Sequence, residues 1–155
     1  MLSSFDHYAK EVLGLKYYVR YADDILVLAE NKEILHRARI AFTEQLAYYG
    51  LKVKPNYQVF DISKRPPDYL GYILTPSGIK LRKRIKHKFI SLMKKNCWNQ
   101  TRVNALVSYL GWCQHANTKR LRAKYFTKEV KEALKQYGVI TTLPSCIRKE
   151  LNESF

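Results

Sequence analysis

Apolar residues first recur at helical spacing, as Phe5, Tyr8, Ala9 and Val12, which predicts a short helix from about Phe5 to Leu13. Ser3 or Ser4 is placed to cap it and Gly14 to end it. Two β-forming runs follow over about Lys16 to Ala29, Tyr17-Tyr18-Val19-Arg20 and Ile25-Leu26-Val27-Leu28, separated by Tyr21-Ala22-Asp23-Asp24. Ile34, Leu35, Ala38, Phe42, Leu46 and Tyr49 return to a 3.6-residue period, predicting a helix from Lys32 to about Tyr49, with Asn31 as cap and Gly50 as stop. Leu51 and Val53 alternate with Lys52 and Lys54 as in a half-buried strand, and Gln58 to Ile62 is a further strand candidate. Lys64-Arg65-Pro66-Pro67 reads as a loop. Tyr69 to Leu74, a turn at Thr75-Pro76-Ser77-Gly78, and Ile79 to Leu81 read as a hairpin, with Gly71 marking a bulge or a close backbone approach.

From Arg82 the period changes to helical. Ile85, Phe89, Leu92 and Met93 form one stripe; Val103, Leu106, Val107 and Leu110 a second, from Arg102 to Gln114 with Thr101 as cap. Leu121, Tyr125, Val130 and Leu134 form a third, from Thr118 to Tyr137, stopped by Gly138. Residues 138–155 are weakly patterned and are expected to fray. A sheet followed by three helices predicts an α+β chain whose parts are sequential.

Charge sharpens this picture. The chain carries a formal net charge of +15, but between Tyr69 and Lys128 there are fourteen Lys and Arg and not one Asp or Glu. The remaining residues hold fourteen basic and thirteen acidic groups, so nearly all the excess lies in one region. Such a region repels itself, and a polyanion whose counterions are released on binding is its usual partner, ahead of the alternatives of an anionic membrane surface or plain solubility. Cys97, Cys113 and Cys146 match no zinc spacing and their odd number argues against a disulfide framework, leaving thiols suited to a reducing compartment such as the cytoplasm. No signal-peptide pattern and no run of eighteen apolar residues is seen, so no membrane partner is expected.

The chemistry concentrates at Asp23 and Asp24. Two adjacent carboxylates at a hairpin tip repel one another unless a cation neutralises them, and a hard ion such as Mg²⁺, sharing its shell with phosphate, suits such oxygens. Asp is also common in ordinary turns. A Tyr-x-Asp-Asp match arises by chance in roughly one chain in a hundred of this length, and more rarely between two strands.

Tyr21-Ala22-Asp23-Asp24 in its strand–turn–strand setting resembles the catalytic hairpin of the reverse transcriptase palm. Gly50-Leu51-Lys52-Val53-Lys54-Pro55 and Pro67-Asp68-Tyr69-Leu70-Gly71-Tyr72 resemble the next two palm motifs in order, the second being the primer grip. Ser108-Tyr109-Leu110-Gly111-Trp112-Cys113-Gln114-His115-Ala116-Asn117-Thr118 is similar to a thumb segment of bacterial reverse transcriptases, those of diversity-generating retroelements and group II introns above all. The resemblance covers roughly residues 1 to 126. It implies the C-terminal part of a palm over residues 1–81, a small antiparallel sheet with flanking helices, then a basic three-helix thumb over 82–137 and a tail over 138–155.

The resemblance also implies roles. Asp23 and Asp24 would be the catalytic metal ligands for RNA-templated DNA synthesis with two Mg²⁺ ions, Asp23 the stronger, with Tyr21 and Ala22 beside them. Tyr69, Leu70, Gly71 and Tyr72 would hold the primer. Arg82, Lys83, Arg84, Lys86, Lys88, Lys119, Arg120 and Arg122 would contact the phosphates of an RNA template and DNA primer. The lysine of the family's Pro-x-Lys pattern is absent, since Pro55-Asn56-Tyr57 stands there, which leaves Tyr57 and the preceding Lys54 both open as proton donors and names neither. The third carboxylate and the fingers are expected upstream of the hairpin, so an N-terminal reverse transcriptase portion is an expected partner, as is a small basic accessory protein. The chain alone is then expected to be inactive. A non-catalytic RNA- or DNA-binding module on the same scaffold is the alternative. Asp6, on a predicted helix, is not expected to bind metal.

Overall fold

The computed structural model describes residues 2–95 and 97–152, the side chain of Asn152 excepted. The chain is α+β and divides into two compact units, Met1–Arg65 and Pro66–Phe155. The boundary expected at 81/82 therefore falls inside the second unit, and the hairpin ending at Leu81 packs with the helices that follow it.

In the first unit, helix α1 (Ser3–His7) continues directly into a π-helical turn over Tyr8–Val12. Its N-cap is Leu2 and no side chain caps it, so Ser3 and Ser4 lie inside the helix rather than before it. The Leu13 N–H bonds the Tyr8 carbonyl, and the wider turn shifts the helical phase. Val12 therefore points outward at 70% exposure, and Leu13 packs against the core in its place. Strands β1 (Tyr17–Tyr21) and β2 (Asp24–Leu28) pair antiparallel with Tyr17 opposite Leu28 and Tyr21 opposite Asp24. Alternation turns Tyr18 inward, where its ring meets Phe5 and Phe42 at centroid distances of 6.5 and 6.0 Å, and leaves Tyr17, Val19 and Tyr21 on an open face. Helix α2 (Lys32–Tyr48) begins as expected, the Asn31 side chain accepting from the Ile34 N–H at 3.0 Å, and buries Ala38, Phe42 and Leu46 against this core. Gly50, at φ +71°, closes it.

The two strands expected over Leu51–Val53 and Gln58–Ile62 do not form. Alternation specifies a strand only when a neighbouring strand takes its hydrogen bonds, and none among the described residues pairs with this segment. Side chains hold it instead: the Arg39 guanidinium lies 4.9 Å over the Tyr57 ring, and Arg65 covers Phe60 at 3.9 Å while bonding Gln58.

In the second unit, β3 (Asp68–Tyr69), β4 (Tyr72–Thr75) and β5 (Gly78–Leu81) form an antiparallel meander. The first arm expected as one strand is thus broken at Leu70-Gly71, both with positive φ (+48° and +81°), as a tight two-residue hairpin turn requires. Gly71 also has no room for a side chain: a Cβ there would lie 2.7 Å from Ile85 Cδ1 and 2.8 Å from Trp112 Cη2.

Among the described residues five α-helices follow, α3 (Lys83–Met93), α4 (Gln100–Cys113), α5 (Lys119–Tyr125), α6 (Lys128–Gln136) and α7 (Ser145–Asn152), with a 3-10 turn over Ile140–Thr142 before the last. The cap of α4 is Asn99, accepting from the Arg102 N–H at 2.9 Å, so Thr101 is within the helix rather than its cap. The single helix expected over Thr118–Tyr137 is two, because Phe126 turns out of the helix (φ −77°, ψ 72°), the Thr127 N–H bonding the Tyr125 carbonyl at 2.9 Å, and Thr127 is extended at ψ 167°. The tail expected to fray is ordered through Leu151. Leu143, Ile147 and Leu151 recur every four residues and are buried beside Phe89, Leu106, Leu110 and Leu134.

Candidate active site

The β1–β2 turn places Asp23 at the tip and Asp24 as the first residue of β2, both exposed. Ala22, preceding them, has φ +51°, a left-handed conformation that costs a non-glycine residue about 1 kcal/mol or more. The Lys54 ammonium donates to Asp23 Oδ2 at 3.1 Å across the loop after α2. That bond lowers the Asp23 carboxyl below its ordinary range and raises the Lys54 amine. With both side chains at least 70% exposed, the pair adds little stability but already supplies a cation at the tip.

Two hard carboxylate oxygen groups fit Mg²⁺, which takes one or two protein carboxylates and completes its shell with water and phosphate. Asp23 and Asp24 are the residues that would hold it. Among the described residues no group of three His, Cys, Asp or Glu side chains converges, so these two are not joined by a third. Tyr21 is 66% exposed on the open face of β1 and pairs with Asp24, so it stands beside the two carboxylates.

Behind the turn lies a network that sequence reasoning did not assign. Arg20 Nε and Nη2 donate to Asp6 Oδ1 and Oδ2 at 2.7 and 2.5 Å, the Tyr18 hydroxyl donates to Asp6 Oδ1 at 2.7 Å, and Arg20 Nη1 donates to the Ala22 carbonyl at 2.9 Å. Asp6 thus ties α1 to β1 instead of facing the tip. A charged residue on the inward-facing side of an amphipathic strand was the available signal. The Arg20 hydrogen bonds, opposed by burial and aided by Tyr18, hold the Asp6 carboxyl down to about 2. Burial, then the bond to Asp6, pushes the Tyr18 phenol well above its usual value.

A depressed folded-state pKa contributes stability above the ordinary value of 3.8, which is lost as pH falls through the folded value. The shift corresponds to about 2.4 kcal/mol in a dry site, and solvent screening of a side chain 32% exposed reduces this to about 1 kcal/mol. Asp6→Asn is therefore expected to be about 1 kcal/mol less stable than the parent at pH 6 and to converge with it toward pH 2. Denaturant unfolding followed by tyrosine near-ultraviolet circular dichroism checks this; a pH-independent difference would contradict it.

In the second unit, the four residues of the expected primer grip form the β3–β4 turn. Tyr72 is turned inward, its hydroxyl donating to the Trp112 carbonyl at 3.1 Å and its ring 5.3 Å from that of Trp112. The close approach that Gly71 permits is to Trp112 and Ile85 of this chain.

The basic residues separate into three groups. Lys83, Arg84, Lys86 and Lys88 on α3, and Lys119 and Arg120 on α5, are exposed. Arg82 is exposed but paired with Asp68, its Nη2 and Nε at 2.5 and 2.9 Å from Oδ1. Arg122, expected on the phosphate-facing surface, is instead 5% exposed. It donates to Glu150 at 2.8 and 2.5 Å, to the Cys113 carbonyl at 3.2 Å and to Thr118 Oγ1. Its position one turn after Thr118 aims it into the gap that α7 closes, and a guanidinium placed there needs a carboxylate. Lys95, not among the expected contacts, joins Lys88, Ser91 and Tyr109 around a groove of about 310 Å³. Asn117, at the α4–α5 junction, donates its N–H to the Ile79 carbonyl at 2.8 Å and so braces the β5 strand. No helix among the described residues is long and apolar enough to cross a membrane.

No curated protein matches this sequence. Residues 1–74, which contain the Asp23–Asp24 hairpin and the β3–β4 turn, match the family model of reverse transcriptase (RNA-dependent DNA polymerase), which supports a reverse transcriptase domain there, with nucleotidyl transfer on nucleic acid as its family-level chemistry.

Proposed function

We propose that this chain supplies the Asp-Asp hairpin of a reverse transcriptase palm together with basic, thumb-like helices that hold an RNA template and DNA primer. The observation that carries the reading is the pair Asp23 and Asp24 at the tip of a two-stranded antiparallel hairpin inside the matched segment. Mg²⁺, when bound, would activate the attacking 3′-hydroxyl and stabilise the leaving oxygen. The chain's own part is to present the two carboxylates on a rigid ladder. Lys54, 3.1 Å from Asp23, is the candidate to hand a proton to the leaving pyrophosphate. The exposed cations of α3 and α5 position the duplex without reading its sequence. The retroelement assignment, near diversity-generating and group II intron enzymes, rests on the Ser108–Thr118 segment. The partners that follow are an N-terminal reverse transcriptase portion and a small basic accessory protein.

A second reading, a non-catalytic nucleic-acid binder on the same scaffold, is favoured by one observation: no third metal-ligating side chain joins Asp23 and Asp24 among the described residues. Binding to a DNA-primed RNA template, followed by fluorescence anisotropy across a salt series with and without Mg²⁺, separates the two. The polymerase reading expects tight binding with a steep negative salt slope. It also expects nucleotide incorporation only after an N-terminal portion is added, and none with Asp23→Asn. Binding indifferent to Mg²⁺ and to both Asp substitutions, with no synthesis after complementation, would establish the binder instead.

A further inference from the structure

We infer that Asp6 and Arg20 are positioning residues for the Asp23–Asp24 tip, fixing the turn through the Ala22 carbonyl so that the carboxylates are held for a hard divalent cation. The inference rests on reading the tip as a cation site, and three observations carry it. The turn residue Ala22 is in a left-handed conformation that glycine would adopt without strain, so something must hold it. The contact that does so is the 2.9 Å bond from Arg20 Nη1 to the Ala22 carbonyl, one residue before Asp23. The same guanidinium is locked by a bidentate pair with Asp6 on α1, and its side chain is only 18% exposed. A planar fork is needed for this geometry, since an ammonium cannot hold a bidentate carboxylate and a carbonyl on opposite edges at once.

The arrangement also manages charge. Arg20 is the basic residue closest in sequence to the tip, and Asp6 neutralises it. The negative field of Asp23 and Asp24 is therefore left for an exchangeable cation instead of being cancelled by a fixed one. Lys54 is the exposed occupant such a cation would displace. Removing Asp6 would both loosen the turn and leave an uncompensated guanidinium behind it.

Terbium(III), a hard oxygen-seeking probe whose luminescence is sensitised by nearby tyrosine, tests this on the whole chain, with Tyr21 paired to Asp24 as the antenna. The parent is expected to show a signal that the Asp23→Asn, Asp24→Asn double variant loses. Arg20→Lys and Asp6→Asn, at a temperature where circular dichroism shows them folded, are expected to bind about tenfold more weakly, as loss of a ligand-orienting partner usually does. Tyr18→Phe removes a bond to Asp6 but leaves the guanidinium, carboxylate and Ala22 contacts, so it should lose stability while keeping near-parent affinity. That split separates positioning from a general loss of structure. Parent-like affinity in folded Arg20→Lys and Asp6→Asn would overturn the inference while leaving the tip reading intact. Absence of a carboxylate-dependent signal in the parent would overturn both. Should Arg20→Lys not fold, the amide resonances of residues 22–24 in Asp6→Asn decide: unchanged shifts overturn the inference, and displaced ones support it.

Discussion

Glu150→Ala is expected to destabilise the second unit by about 3 kcal/mol, the range for removing one partner of a buried ion pair. Arg122 is 5% exposed, and its Glu150 bonds of 2.8 and 2.5 Å link α5 to α7. Burial alone would disfavour the guanidinium's charge, but Glu150 more than offsets this, and the pKa lies above its ordinary value. Without Glu150 the charge stays buried, with the Cys113 carbonyl and Thr118 Oγ1 as its acceptors among the described residues. The lower part of the usual 3–5 kcal/mol applies because Glu150 itself is partly exposed and those two acceptors remain. Both tryptophans, Trp98 and Trp112, lie in this unit, so urea unfolding followed by tryptophan fluorescence reports on it selectively. Arg122→Met combined with Glu150→Leu should recover most of the loss, because an apolar pair of similar volume leaves no charge behind. A Glu150→Ala change within about 0.5 kcal/mol of the parent would mean that the pair is solvated in solution.

Replacing Arg84, Lys88 and Lys95 together by glutamine is expected to weaken binding to a DNA-primed RNA template on the order of a hundredfold near 0.1 M salt and to flatten the salt slope by about 2.7, that is 0.9 for each lost phosphate contact. Arg84 and Lys88 lie four residues apart on α3, and Lys88 and Lys95 border one groove, so the three share a face. The loss should be the same for every template sequence, because phosphate contacts position without reading bases. Arg82→Gln is the internal control. Its charge is already engaged by Asp68 at 2.5 Å, so its removal should change the slope much less than one free cation would. Anisotropy titrations at several salt concentrations give both numbers, and an unchanged slope in the triple variant would place the nucleic acid elsewhere.

Arg122 shows why a list of basic residues is not a binding surface. Along the chain it is indistinguishable from Arg120, yet one meets solvent and the other Glu150, twenty-eight residues away. Lys54 shows the reverse. Flagged only because the usual lysine was missing from its motif, it stands 3.1 Å from Asp23, thirty-one residues distant in the chain.

What the sequence determined by itself is what short-range physics decides. The Asp23–Asp24 hairpin follows from two β-forming runs around a polar turn, α2 from an unbroken 3.6-residue stripe between an Asn cap and a Gly stop, and the basic bias of 69–128 from composition. Tertiary structure decided whatever needed a partner distant in the chain. Leu51–Val53 alternates like a strand but finds no neighbour to complete a ladder. No Gly or Pro marks the helix break at Phe126-Thr127, yet the break is there. Residues 143–151 look featureless until their three apolar side chains find the core of α3, α4 and α6. Asp6 and Arg20 are ordinary surface charges in sequence, and only folding brings them together behind Ala22. Local propensity is summed over a few residues, whereas hydrogen-bond pairing, burial and charge neutralisation depend on what the fold sets opposite.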